Sequence, residues 1–150
     1  MLFRSKLQTA AGLDLSPAMH WRRPVFAQLV DGDQGPVLVT LQYRIDPKDR
    51  APFLALMQEK GLERKRDGAY AWNLFEDAGV VGRVVEVFLV QSMLELAHLR
   101  QRVTKFDQMV EAEAHRYLTE PPKVTILVAP KRNRERRRKP SATLAPAAAE

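Results

Sequence analysis

The chain has 150 residues, 45% of them hydrophobic and 28% charged, which suits one modest domain with a tail. It contains no cysteine, so disulfides, thiol nucleophiles and cysteine-based zinc sites are excluded. No apolar run approaches the roughly 18 residues of a membrane span, and the N-terminus lacks a signal-peptide pattern. We therefore expect a soluble, cytoplasmic protein.

The net charge of +6 is concentrated at the C-terminus. Residues 131–150 hold seven basic and two acidic side chains, a net +5, which leaves +1 for residues 1–130. A nucleic-acid-binding domain carries its basic residues on a folded face, so nucleic acid is disfavoured as a partner. The tail could bind anionic lipid headgroups, bind nucleic acid nonspecifically or only solubilise the chain. Its basic residues are Lys131, Arg132, Arg134, Arg136, Arg137, Arg138 and Lys139.

The first elements follow from local patterns. Residues 1–35 show no sustained period and contain Pro17 and Pro24, which predicts an extended arm. Residues 36–45 alternate as a strand. A helix then runs from a cap at Asp49 to about Lys60, and Gly61 closes it. Residues 62–68 are interpreted as a solvated, charged connection rather than an anion-binding loop.

The second half repeats strands and helices. Residues 69–77 and 83–91 are predicted strands joined by a hairpin. Ser92 with Glu95, and Thr104 with Asp107, predict two helix starts separated by a bend near 101–104, with the second helix reaching about Leu118. Residues 123–128 form the last strand, and residues 130–150 are a predicted disordered tail.

This order predicts an α+β, ferredoxin-like βαββαβ domain over residues 36–129, with both helical segments on one face of a four-stranded antiparallel sheet. The third strand, "RVVEVFLV" (83–90), is apolar on both faces. Because the helices cover only one face, we expect a second copy to cover the other. The result would be a homodimer with the architecture of a dimeric α/β barrel.

Glu86 lies in the middle of that apolar strand. One interpretation is a functional carboxylate in a cavity, with a pKa raised by desolvation. The other is a structural carboxylate, paired with an arginine such as Arg44 or Arg83 or placed at the wet mouth of the barrel.

A binding role would use a pocket for a small hydrophobic ligand near Glu86, where aromatic side chains with polar atoms recur. Its candidate residues are Tyr43, Trp72, Asn73, Glu86 and Phe88. Asn73 points opposite to Trp72, so an oxygenase signature is weak. His20, His98 and His115 form no metal pattern, and we expect neither a metal nor a cofactor.

The succession of "GPVLVTLQYRIDPKDRAPFLALM", "RKRDGAYAWNLFED", "VEVFLVQSMLEL" and "QRVTKFD" resembles the C-terminal domain of major facilitator exporters of the transmembrane secretion effector type. This type includes enterobactin-exporter-like permeases. The arm "AGLDLSPAMHW" looks like the linker after the last membrane helix in that family. The domain is similar in turn to dimeric α/β-barrel proteins such as antibiotic-biosynthesis monooxygenases.

The resemblance implies the same dimer and a role beside a membrane permease domain. Met93 stands where the family has a tryptophan, and Leu96 and Arg100 stand at expected histidine positions. The roles of those histidines therefore do not transfer to this chain.

The leading hypothesis is a non-catalytic accessory domain, cytoplasmic and near the inner face of the plasma membrane, for dimerisation, regulation or small-molecule binding. A permease domain or an anionic membrane surface would be its partner. The alternative is a small, cofactor-independent monooxygenase acting on an aromatic or polyketide-like substrate.

Overall fold

The structure is a computed structural model that describes residues 30–131. Four antiparallel strands form one sheet in the order β2-β3-β1-β4, and three helices pack on one side of it. The elements are β1 (Val37–Arg44), a 3-10 turn (Pro47–Asp49), α1 (Arg50–Asp67), β2 (Ala71–Glu76), β3 (Arg83–Val90), α2 (Met93–Gln101), α3 (Lys105–His115) and β4 (Lys123–Val128).

The predicted α+β, ferredoxin-like arrangement is confirmed. The two inner strands, β1 and β3, pair in register from Val37 opposite Val90 to Arg44 opposite Arg83. The core lies between the sheet and the helices, where alternate residues of β1 and β3 meet Phe53, Leu99 and Val110. None of the helices within residues 30–131 combines the length and the hydropathy that a membrane span requires.

Helix α1 is longer than predicted. It passes through Gly61 and ends at Asp67, with Gly68 (φ 130°) as its C-cap. A Cβ at Gly61 would lie 2.7 Å from ring carbons of Trp72, so glycine is needed there for close helix–sheet packing. The prediction that residues 62–68 form a solvated connection was therefore wrong: Glu63, Arg64 and Asp67 are buried.

The start of α1 differs in detail from the prediction. Asp49 is the N-cap by position but its side chain makes no capping bond, and Asp46 instead accepts from the backbone N–H of Lys48 in the 3-10 turn. Pro52 lies in the first turn of α1, where a missing N–H costs nothing.

The predicted bend between α2 and α3 is confirmed. Thr104 and Asp107 form a reciprocal capping box at the start of α3, and the Ser92 hydroxyl accepts from the backbone N–H of Glu95 at the start of α2. Without these caps, the apolar residues of α2 and α3 would follow one continuous helical spacing. The predicted arm (1–35) and tail (130–150) lie mostly outside the described residues.

Candidate functional site

Glu86 is the most deeply buried acid of the described chain, with an exposed fraction of 0%. It projects from the middle of β3 toward the helices, because Val84 and Phe88 on the same face are also buried. Three side chains donate to its carboxylate. The Tyr43 hydroxyl lies 2.8 Å from Oε2, while Arg64 Nε and Trp72 Nε1 lie 3.0 and 3.1 Å from Oε1.

The charge of Arg64 decides the ionisation of Glu86. Burial alone would raise the pKa of the Glu86 carboxyl, but the guanidinium of Arg64, with the Tyr43 hydroxyl, holds that pKa below its usual value. Burial and the charge of Glu86 raise the pKa of Tyr43 well above its usual value, so the phenol stays a donor. The guanidinium also lies over the Phe88 ring, 4.8 Å from its centroid.

Four of the five predicted ligand-pocket residues therefore meet at one place: Tyr43, Trp72, Glu86 and Phe88. Asn73 lies on the opposite face of the sheet and is exposed. The pKa of Glu86 is lowered, which contradicts the interpretation of Glu86 as a carboxylate with a raised pKa. The arginine that pairs with Glu86 is Arg64, not Arg44 or Arg83.

Sequence reasoning missed Arg64 because residues 62–68 were assigned to a loop. The overlooked signal is the spacing of Met57, Gly61 and Arg64, at intervals of four and three residues, which places Arg64 on the buried face of α1. A second group missed for the same reason is the acidic cluster, formed by Glu63, Asp67 and Asp107.

The acidic cluster lies between α1 and α3. Its three side chains each place one oxygen within 4.8 Å of the others. Arg66 donates to both aspartates and, together with Thr104, keeps the pKa of the Asp107 carboxyl low although burial would raise it. Burial raises the pKa of Glu63 against the opposing charge of Lys60. The cations beside the three carboxylates are Arg66, at the two aspartates, and Lys60, at Glu63.

We call the face of the sheet that lies away from the helices the open face. Its strands place apolar side chains together, and two of these, Phe75 and Leu127, are 55% and 50% exposed. The register aligns Val87 with both Thr40 and Asn73 at its centre. The apolar side chains of the open face are Leu38, Ala71, Phe75, Val85, Val87, Leu89 and Leu127.

The remaining predicted residues lie apart from these groups. His98 and His115 contact Glu95 and Glu111 on their own helices, at 3.4 and 3.7 Å. Lys131 forms an ion pair with Asp31. His20 and the tail residues beyond Lys131 lie outside the described residues.

Comparison with known proteins gives a family and a fold. The family model of the transmembrane secretion effectors matches residues 1–135. No curated protein matches the sequence. A candidate antibiotic biosynthesis monooxygenase from Caulobacter crescentus CB15 shares the fold with a TM-score of 0.58 and 20% identity, over 66% of this chain and 93% of that one.

Two further solved structures share the fold. Rv0793 from Mycobacterium tuberculosis has a TM-score of 0.55 and 23% identity, over 66% of this chain and 99% of its own. A mutant of SnoaB, a cofactor-independent oxygenase from Streptomyces nogalater, has a TM-score of 0.53 and 10% identity, over 65% and 96%. At these identities the likeness establishes the fold alone. Because the family model spans most of the sequence, the chain belongs to the transmembrane secretion effector family.

Proposed function

We propose that this chain is a non-catalytic accessory domain of an exporter-type protein, which pairs with a second copy through its open face. The observation that carries the proposal is that side chains of the protein already donate hydrogen bonds to the Glu86 carboxylate. This carboxylate has no exposure and already accepts from Tyr43, Arg64 and Trp72. A reactive carboxylate needs a substrate within hydrogen-bond reach, and three protein donors already surround this one.

The open face supports the pairing. One row of this face is apolar across all four strands, from Ala71 through Leu89 and Leu38 to Leu127, and Phe75 and Leu127 remain about half exposed in the single chain. Contiguous exposed apolar patches mark interaction sites. A second copy is the occupant we favour, because two twisted sheets of the same shape pack face to face with a spacing of about 10 Å.

The pairing is tested by light scattering on the full chain at micromolar concentration. We expect a dimer for the wild type and a monomer for Val87→Glu, which places a charge at the centre of the open face. Val81→Glu is the matched control, because Val81 is 79% exposed on the hairpin and lies outside that face. A monomeric wild type, or a dimeric Val87→Glu variant, would contradict the proposal.

A monooxygenase is the second candidate, and it rests on the fold shared with SnoaB. The discriminating assay is oxygen uptake with aromatic and polyketide-like compounds as substrates. We expect no uptake that depends on the protein. Uptake that falls on substituting Asn73→Ala, but not Val81→Glu, would replace the accessory role with catalysis at the open face.

A further inference from the structure

The acidic cluster has a geometry that the Glu86 network does not need. Glu63 and Asp67 lie one turn apart on α1, and Asp107 comes from the first turn of α3. The residues are only 5%, 3% and 3% exposed. Three carboxylates this close repel one another unless cations stand between them.

The two aspartates already have donors. Arg66 binds Asp67 at 2.8 and 3.0 Å and Asp107 Oδ2 at 2.6 Å, with a long contact of 3.4 Å to Asp107 Oδ1. Thr104 donates to Asp107 Oδ2 through its backbone N–H and its hydroxyl, at 2.7 and 2.8 Å. Asp107 Oδ1 and the second lone pairs of Asp67 remain available as ligands.

Glu63 is different. Both of its carboxylate oxygens are buried, and neither accepts a hydrogen bond from the described residues. Lys60 Nζ forms an ion pair with Oε2 at 3.6 Å, but this buried ammonium makes no hydrogen bond within the described residues either. Buried carboxylate oxygens without a hydrogen-bond donor are costly in a folded protein, so Glu63 points to a ligand that the described residues do not supply.

The cluster is reachable from solvent. A groove of about 260 Å³ opens between α1 and α3, and Glu63, Arg66 and Asp107 line it. The Arg66 side chain is 48% exposed, so it can turn outward and leave space for an ion and its bound water.

We propose that Glu63, Asp67 and Asp107 bind one divalent cation and thereby link α1 to α3. Carboxylate oxygens without histidine or cysteine select the hard cations Mg²⁺, Mn²⁺ and Ca²⁺. Glu63 supplies the ligand oxygens that have no other donor, and Arg66 serves as the counter-charge when the ion is absent.

The test uses the full chain and MnCl₂. Electron paramagnetic resonance of free Mn²⁺ measures the number of bound ions, and thermal unfolding is followed with Mn²⁺, Mg²⁺ and Ca²⁺. We expect one saturable Mn²⁺ site, competition by Mg²⁺ or Ca²⁺, and a rise in Tm that grows with ion concentration. Absence of saturable binding would overturn the proposal.

Matched variants locate the ion. Glu63→Gln and Asp67→Asn keep side-chain volume, and each should weaken Mn²⁺ binding roughly tenfold or more. Glu59→Gln removes the same charge from an exposed position at the groove rim and should leave binding unchanged. Equal weakening by Glu59→Gln and Glu63→Gln would indicate diffuse surface attraction and contradict a coordinated ion. Near-ultraviolet circular dichroism confirms that each variant is folded.

Discussion

At the scale of single residues, Arg64 and Glu86 depend on each other. Both side chains are almost fully buried, at 1% and 0% exposure. Such a pair gains little over an apolar pair, but a single charge left alone inside the protein is expensive. Arg64 and Glu86 therefore act as one unit, and Tyr43 and Trp72 complete the hydrogen bonding of the carboxylate.

We expect Arg64→Met to reduce the free energy of unfolding by roughly 3–5 kcal/mol, because it leaves Glu86 without its cation. Glu86→Gln should also destabilise, and the double variant should lose less than the sum of the two. Urea unfolding at pH 7 measures this coupling. The Arg50–Glu76 pair on the surface is the control, and its variants should change stability little. Strictly additive losses at Arg64 and Glu86 would show that the two are independent.

The same pair makes stability depend on pH. The folded pKa of Glu86 lies below the unfolded value of about 4.3, so the unfolded chain binds more protons in this range and stability rises with pH. The stabilisation is present above the unfolded pKa and is lost as pH falls through the folded pKa. We expect the acid slope of the unfolding free energy, measured between pH 3 and 7, to be shallower in Glu86→Gln. Identical slopes would mean that Glu86 has no depressed pKa.

At the scale of elements, two glycines have opposite effects on α1. Gly68 adopts a positive φ that ends the helix, whereas Gly61 keeps helical geometry because β2 packs against it. The sequence pattern ended the helix at Gly61, and only packing against β2 shows that the helix continues to Gly68. The additional turns of α1 supply Glu63, Arg64 and Asp67 to the interior.

Gly61→Ala should destabilise the protein by roughly 1–3 kcal/mol although alanine favours helices by about 1 kcal/mol. The new methyl would lie 2.7 Å from the Trp72 ring and would displace its indole from Glu86. Gly79→Ala on the hairpin is the control, since its nearest neighbour is an Asp77 oxygen at 3.4 Å. Thermal unfolding decides: an unchanged or higher Tm for Gly61→Ala would show that α1 can move away.

At the scale of the whole molecule, the two faces of the sheet differ in what covers them. One is sealed by three helices, and the other presents the open face. We propose that the tail holds the domain near the inner face of the membrane.

Removing residues 131–150 takes away a net +5 and should abolish binding to vesicles that contain anionic lipid, while the unfolding transition stays unchanged. The measurement is co-sedimentation with vesicles with and without phosphatidylserine, at low and high salt. Retained binding in the truncated chain would place the membrane contact elsewhere. Binding to duplex DNA as tight as to the vesicles would favour a nonspecific nucleic-acid role.

The sequence by itself determined the element order, the N-terminal caps of α2 and α3 and the two-faced β3, because these depend on alternation, periodicity and short-range hydrogen bonds. It also drew attention to Glu86, since a charge inside an apolar strand is visible in any register. The ion partner was decided only by the tertiary structure, because Arg64 reaches Glu86 from 22 residues away along a helix that local rules end early. The acidic cluster likewise exists only where α3 packs on α1, and no local pattern encodes that contact.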